Sequence, residues 1–223
     1  GEYDVIDLKY IHNRDGFLYY IASPDNATQK YLYKTKLNGK GKNELLSPIS
    51  LKGSHDYSFS SNGNYAEHTF SNHFTPNSKE FISIANHKAL TDKESILKNI
   101  KKLEEKPTTE FFTITTADNV EMDGWMVKPT NFDPNKKYPV VFYVYSEPAR
   151  ATVKDSYNTS RNSLYIGDMA EDGYIYISLD NRGTPSPKGR EWRKSIYRKI
   201  GMININDQAM AAKEILNWDF IDP

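Results

Sequence analysis

Polar residues that could take part in a reaction follow the two most apolar segments in the second half of the chain. Residues 140–145 run into Ser146-Glu147-Pro148, and residues 174–179 run into Asp180-Asn181-Arg182-Gly183-Thr184. Continuous apolar runs of this length are typical of parallel strands covered on both faces. Ligands and reactive groups of open parallel sheets collect at the carboxyl ends of the strands. The two polar segments are therefore the candidate functional loops.

Neither loop supplies a complete set of groups for nucleophilic catalysis. The sequence has no Gly-x-Ser-x-Gly motif, in which a serine nucleophile sits on a strained turn after a strand. Ser146 and Ser156 have no His or Asp partner implied by position, so a structural role is favoured for both. Asp180 and Arg182 lie at a strand end, but a turn fixed by an Asp–Arg pair and by Gly183 is favoured over a catalytic role.

Composition excludes several other kinds of site. The 223 residues include no cysteine, so disulfides, zinc thiolate sites and a cysteine nucleophile are absent. Five histidines show no HExxH or paired spacing, so we predict packing or surface roles, no metal site and no cofactor. They are His12, His55, His68, His73 and His87.

Charge and hydropathy argue against nucleic acid and membrane partners. The 29 basic and 29 acidic residues give a formal net charge of zero, which leaves no global attractive field. Basic residues at 188–199, interleaved with Trp192 and Tyr197, suit a nucleic-acid patch, but a helix covering the sheet with extended basic side chains is favoured. No apolar run approaches the ~18 residues of a membrane span. There is no signal peptide, and we expect that Gly1 is not the true N-terminus.

The elements predicted in the first half are antiparallel strands. Short tyrosine-rich segments alternate with turn residues such as Asn38-Gly39-Lys40-Gly41. A sandwich, a barrel or one to two propeller blades would fit this spacing. The predicted strands are residues 5–12, 17–22, 31–37, 57–60, 65–71 and 81–85.

An amphipathic connector helix is predicted at residues 91–106. Thr91 and Glu94 form a capping-box pattern, and Pro107 ends the helix. Its apolar stripe consists of Ile96, Leu97, Ile100 and Leu103.

The second half alternates strands and helices. Residues 111–116 and 121–128 flank Ala117-Asp118-Asn119, a hairpin signal. A short helix at 164–171, closed by Gly173, should separate the strands 140–145 and 174–179. A further helix, capped by Asn204 or Asn206, should bury one apolar face. That face consists of Ile205, Ala209, Ala212 and Leu216.

This order predicts a parallel sheet with helical crossovers. The next strand should start near Asp222-Pro223. We also expect strand 174–179 to lack neighbours, which would expose backbone groups and promote association.

Several motifs resemble the prolyl oligopeptidase family of serine peptidases, in particular its dipeptidyl peptidase IV group. They occur in the family's order over most of the chain. They are Phe59-Ser60-Ser61-Asn62-Gly63-Asn64-Tyr65, Phe111-Phe112-Thr113-Ile114-Thr115-Thr116-Ala117-Asp118, Asp123-Gly124-Trp125-Met126-Val127-Lys128-Pro129, Asn131-Phe132-Asp133-Pro134, Lys136-Lys137-Tyr138-Pro139, Asp180-Asn181-Arg182-Gly183-Thr184 and Asn206-Asp207-Gln208-Ala209.

The resemblance implies a mixed fold, with antiparallel β-structure from the end of a β-propeller followed by a truncated α/β-hydrolase domain that has a partly parallel sheet. The implied domains are residues 1–88, a connector helix at 89–107, and residues 108–223. The implied activity is release of N-terminal X-Pro or X-Ala dipeptides by a Ser-Asp-His triad. All three triad residues would lie outside this chain, so the chain alone should be inactive.

One catalytic role carries over through the resemblance. Tyr145 matches the tyrosine whose hydroxyl helps to form the oxyanion hole, although a tyrosine that caps a buried strand is the alternative. The family has a small residue and Gly before Pro148, whereas this chain has Ser146-Glu147. A negative charge near an oxyanion should be unfavourable, so this departure puts the loop geometry or the activity in doubt.

The resemblance also implies a setting for the whole protein. It would be secreted or periplasmic, would form a homodimer, and would act on peptides with penultimate Pro or Ala. A tripeptide-releasing relative and a catalytically dead propeller scaffold remain alternatives.

Overall fold

The structure is a computed structural model of the chain and describes residues 1–91, 95–100 and 109–223. The chain forms two compact units. The first comprises Gly1–Lys106 with Lys154–Tyr157, and the second comprises Pro107–Val153 with Asn158–Pro223. The placement of Lys154–Tyr157 in the first unit was not predicted. Asp155 explains it, because its backbone N–H donates to the Thr28 carbonyl (2.7 Å) and its carboxylate accepts from Gln29 Nε2 (2.8 Å).

The first unit contains two four-stranded antiparallel sheets, each with its strands in sequence order. The first sheet comprises β1 (Val5–His12), β2 (Phe17–Ala22), β3 (Tyr31–Lys36) and β4 (Glu44–Leu45). The second comprises β5 (Ser54–Phe59), β6 (Tyr65–Ser71), β7 (Ser78–Ser83) and β8 (Lys88–Ala89). This meander is the architecture of a propeller blade, so two blades' worth of strands is present.

All six strands predicted in the first half are confirmed, although β5 and β7 each begin three residues earlier than predicted. Apolar residues at alternate positions of the two sheets form a common buried cluster. Its members include Tyr19, Ile21 and Leu32 from the first sheet and Tyr57, Ala66 and Ile82 from the second.

The described part of the predicted connector helix is α1 (Ile96–Ile100). Ile96 is buried against Leu51 and Phe70. Residues 92–94 and 101–108 lie outside the described residues, so Glu94, Leu103 and Pro107 of that prediction are untested.

The second unit is built on one five-stranded mixed sheet. Its strands are β9 (Thr109–Thr115), β10 (Glu121–Val127), β11 (Tyr138–Tyr143), β12 (Ile175–Leu179) and β13 (Ile221–Asp222), in the spatial order β13-β11-β12-β10-β9. The pair β9–β10 is the predicted hairpin, and Asn119 in its turn has φ of 61°. β11 pairs in parallel with both β12 and β13. The mixed fold class predicted from the sequence is confirmed.

The prediction that strand 174–179 lacks neighbours is wrong. β12 lies at the centre of the sheet, paired with β10 on one side and β11 on the other, and all five of its residues are buried. The antiparallel strand β10 pairs with the side of β12 that we predicted to be unpaired. The edge strands of this sheet are β9 and β13.

The predicted helix at 164–171 is also wrong, because these residues form turns and bends. Asp168 Oδ1 accepts the backbone N–H of Ala170 (2.9 Å) and of Glu171 (3.3 Å), which competes with helical hydrogen bonding. Gly167, at φ of +144°, interrupts the segment further. Leu164 and Ile166 are exposed and form no buried stripe.

The helices of the second unit, within residues 109–223, are α2 (Gly189–Lys194) and α3 (Ile203–Ile215). The predicted face of α3 is wrong, since Ile205 is 62% exposed and Leu216 is 36% exposed. The helix instead buries Asn204, Asp207, Gln208, Ala211 and Ile215. Its N-cap is Met202 rather than Asn204 or Asn206, and no side chain caps it.

Within the described part of the chain, we find no helix with the length and apolar character needed to cross a membrane.

Candidate active site

Tyr145 lies in the loop that follows β11, two residues beyond its last residue, Tyr143. The strand ends earlier than predicted, so Tyr145 is a loop residue. Its ring is half-buried, and the Arg150 guanidinium lies over it at 5.0 Å from the ring centroid. Arg150 also donates to the Tyr143 hydroxyl (2.7 Å). Arg150 therefore links the end of β11 to the Tyr145 ring through a hydrogen bond and a cation–π contact.

Ser146 fixes the backbone directly after Tyr145. Its Oγ donates to Asn181 Oδ1 (2.8 Å), and Asn181 Nδ2 donates back to the Ser146 carbonyl (3.3 Å). Ser146 has φ of 69°, in the left-handed region that glycine adopts most easily. The reciprocal hydrogen bonds compensate for that conformation and give Ser146 a structural role. Glu147, the other departure from the family pattern, is exposed.

Asn181 is fully buried and is held in turn by α3. Gln208 Nε2 donates to Asn181 Oδ1 (3.0 Å) and to the Leu179 carbonyl at the end of β12 (2.9 Å). A continuous set of hydrogen bonds therefore connects α3, the end of β12 and the loop that carries Tyr145.

Asp180 is the main acceptor of the site and is 2% exposed. Its carboxylate accepts from the Thr152 N–H (2.8 Å), Thr152 Oγ1 (3.0 Å), the Val153 N–H (3.1 Å) and Ser186 Oγ (2.8 Å). The predicted Asp–Arg pair within this turn is therefore wrong, because the Asp180 carboxylate accepts its hydrogen bonds from residues 152, 153 and 186 instead.

Arg182 pairs instead with Asp207 of α3, which is fully buried. Arg182 Nε and Nη2 both donate to the Asp207 carboxylate, the latter at 2.6 Å, and the backbone N–H of Arg182 donates to Asp207 Oδ2 (3.0 Å). These hydrogen bonds raise the pKa of the Arg182 guanidinium. The geometry is the bidentate one in which a buried carboxylate is best compensated. This pairing explains why α3 buries the charged Asp207, whereas the apolar pattern predicted that Ile205 would be buried.

Gly183 is required by a close approach. It has φ of +92°, and a Cβ at this position would lie 2.6 Å from Ile196 Cβ. Gly173 has a similar φ of +84° but no atom within 4 Å of such a Cβ.

We expect Gly183→Ala to destabilise the second unit more than Gly173→Ala does. Both substitutions strain the backbone, by roughly 1–2 kcal/mol. Gly183→Ala adds overpacking against Ile196, by about 1–3 kcal/mol more. Urea unfolding monitored by tryptophan fluorescence measures this, because all three tryptophans (Trp125, Trp192, Trp218) lie in the second unit. Equal midpoints for the two variants would contradict the clash.

The observed contacts of Lys188 and Trp192 show that this part of the basic stretch at 188–199 packs against the sheet. Lys188 Nζ pairs with Asp123 (3.1 Å) and lies over the Trp192 ring at 4.7 Å. Trp192 packs against the core cluster of the sheet.

Sequence reasoning located both loops but missed the contacts that join them. Ser146 and Asn181 are 35 positions apart, and Asp207 is 25 positions from Arg182. Two features of the sequence could have indicated these contacts. Polar residues follow the strands, and the polar run Asn206-Asp207-Gln208 lies in a helix whose predicted buried face was apolar.

Two family models match the chain in the expected order. The dipeptidyl peptidase IV N-terminal region matches residues 1–77, and the prolyl oligopeptidase family matches residues 160–223. Dipeptidyl peptidase 4 of Trichophyton rubrum is 26% identical over all of this chain and 29% of its own length. A Neurospora crassa protein named probable dipeptidyl-aminopeptidase B is 30% identical, over all of this chain and 24% of its own length.

A solved structure agrees with these sequence matches. The crystal structure of Porphyromonas gingivalis dipeptidyl peptidase 4 matches with a TM-score of 0.80 and 30% identity, over all of this chain and 30% of that one. The chain thus spans less than a third of the length of these relatives. Over all of its length it is similar to dipeptidyl peptidase IV members of the prolyl oligopeptidase family.

Proposed function

We propose that the whole protein to which this chain belongs is a serine exopeptidase that releases N-terminal X-Pro or X-Ala dipeptides. Its relatives are named dipeptidyl peptidases, and the family match supports a serine nucleophile. In this proposal the 223 residues supply one oxyanion donor and part of the sheet that holds it. The nucleophile, the base and the orienting acid come from elsewhere in the protein.

The observation that carries the proposal is the anchored loop of Tyr145. Acyl transfer needs a hydrogen-bond donor fixed where negative charge develops on the scissile carbonyl oxygen. Ser146 and Asn181 fix the backbone on one side of Tyr145, while Arg150 packs on its ring. No described residue hydrogen-bonds the Tyr145 hydroxyl, so its O–H is not used within that part of the chain.

The role of the chain's own residues follows from this arrangement. The Tyr145 O–H donates to the carbonyl oxygen as that oxygen becomes an oxyanion, and the donor needs little reorganisation because its loop is already held. The exposed position of Glu147 lowers the cost of its charge, because water screens it.

Two alternatives make different predictions. A tripeptide-releasing relative would use the same oxyanion tyrosine but cleave one residue later, and a dead scaffold would keep the loop without turnover. We also propose, from the family alone, that the whole protein is a secreted or periplasmic homodimer.

We expect the full-length protein to hydrolyse X-Pro-p-nitroanilide with a free amino terminus, and the isolated 223-residue chain to show no turnover. An X-X-Pro-p-nitroanilide substrate distinguishes dipeptide from tripeptide release. Preference for the longer substrate would favour the tripeptidase. Absence of turnover with both, in a folded full-length protein, would favour the scaffold.

A further inference from the structure

Histidines of the first unit, for which we predicted packing or surface roles, converge at a buried point. His68 on β6 lies directly opposite Glu80 on β7, and His87 lies in the turn before β8. One ring nitrogen from each histidine and one Glu80 oxygen all lie within 4.8 Å of one another. His68 is 0% exposed and Glu80 is 4% exposed. The cluster combines two imidazoles with one carboxylate.

Both ring nitrogens of His68 have partners within the first unit. Its Nδ1 lies 2.8 Å from Glu80 Oε1, and its Nε2 lies 2.9 Å from His55 Nδ1. His55 Nε2 in turn donates to the Leu51 carbonyl at 2.8 Å. These contacts hold the His68 ring with its Nδ1 directed at Glu80.

His87 supplies an independent sign of a ligand. Its Nε2 contacts the Tyr57 hydroxyl at 2.7 Å. Its Nδ1 is buried and has no hydrogen-bond partner among the described residues. An unpaired buried nitrogen is unfavourable, so a group that binds it is favoured.

We propose that His68, Glu80 and His87 form a binding site for Zn²⁺. The ligands are Nδ1 of His68, Nδ1 of His87 and a carboxylate oxygen of Glu80. His68 Nε2–H then donates to His55, and His87 Nε2–H donates to the Tyr57 oxygen. Metal-binding histidines characteristically donate their second ring N–H in this way, and the buried Nδ1 of His87 gains a partner.

The dimensions and the ligand types suit zinc. Ligands that lie about 2.0–2.2 Å from the ion are at most about 4.4 Å apart, so a separation within 4.8 Å needs adjustments of a few tenths of an ångström. Two histidines and a carboxylate are a known zinc ligand set, whereas Ca²⁺ and Mg²⁺ prefer oxygen ligands.

The surroundings provide access and a structural consequence. Glu80 and His87 line a cleft of about 560 Å³ with Ser95, from which water can fill the fourth coordination position. Glu80 Oε2 accepts the backbone N–H of Ile96, the first residue of α1. A bound cation would therefore join β6, β7 and the turn before β8. It would also be linked, through Glu80, to the first residue of α1.

The test is Zn²⁺ binding to the 223-residue chain in competition with a chromophoric chelator. We expect one Zn²⁺ per chain and a higher melting temperature with the metal. Glu80→Gln and His87→Asn should each weaken binding by at least about 100-fold, since even residues that only orient ligands contribute 10–100-fold. Asparagine suits position 87 because His87 has φ of 51°. His12→Asn, a buried histidine outside the cluster, is the control and should bind as the unsubstituted chain does.

A second measurement covers the case in which a variant does not fold, as judged by circular dichroism. Co²⁺ bound to the unsubstituted chain should give visible d–d bands and two hyperfine-shifted, exchangeable ring N–H protons, one from each histidine ligand. Absence of stoichiometric Zn²⁺ binding, of histidine-bound Co²⁺, or of any loss of affinity in folded Glu80→Gln would overturn the proposal.

Discussion

Replacement of Tyr145 by Phe in the full-length protein should lower kcat by about 10²- to 10³-fold, equivalent to roughly 2.7–4 kcal/mol of transition-state stabilisation. The substitution removes the phenol hydroxyl and keeps the ring. The ring's contact with Arg150 and the hydrogen bonds of Ser146 with Asn181 do not involve that hydroxyl. The loop should therefore remain in place while the donor is lost.

KM should change little, because the ground-state carbonyl carries less charge than the oxyanion that it becomes. A tyrosine that only caps a strand gives the opposite pattern, with a lower melting temperature and near-normal kcat. Tyr197→Phe is the matched control, because that side chain is 71% exposed and lies in the same unit. It should leave both kinetic constants unchanged.

Replacement of Asp180 by Ala should give the largest loss of stability in the second unit. It leaves the Thr152 N–H, the Val153 N–H and two hydroxyls without their buried acceptor. Each unsatisfied buried donor costs about 1–3 kcal/mol, and hydroxyls can partly reorient, so we expect roughly 3–5 kcal/mol in total.

Urea unfolding of the 223-residue chain, monitored by tryptophan fluorescence, measures this effect. Ser186→Ala is the graded control, because it removes one donor and leaves the carboxylate with three others; it should cost about 1–2 kcal/mol. A midpoint for Asp180→Ala that is no lower than that of Ser186→Ala would show that the carboxylate does not hold the turn.

The strands were predictable because their signals are local. Alternation of tyrosine and polar residues, with Asn-Gly and Ser-Asn-Gly turns, marked β1, β2 and β6 at their observed bounds. The apolar runs of β11 and β12 marked their parallel pairing, although β11 ends two residues before Tyr145, the predicted end. These features depend on neighbours within a few residues.

Features that depend on buried polar contacts were not predictable in this way. The apolar pattern of α3 predicted that Ile205 would be buried. The helix instead buries Asp207 and Gln208, because they form hydrogen bonds with Arg182 and Asn181. Likewise, turn hydrogen bonds to Asp168 outweighed the apolar residues that suggested a helix. His68 and Glu80 meet only because β6 and β7 pair in a register that spacing does not reveal.

The most direct test of the claim that Tyr145 is an oxyanion donor is the affinity of the full-length protein for a peptidyl boronic acid that ends in boroproline. Its tetrahedral boronate resembles the transition state, so the loss of affinity in Tyr145→Phe should parallel the loss of kcat, at about 10²- to 10³-fold. Undiminished affinity for the boronic acid in folded Tyr145→Phe would contradict the assignment.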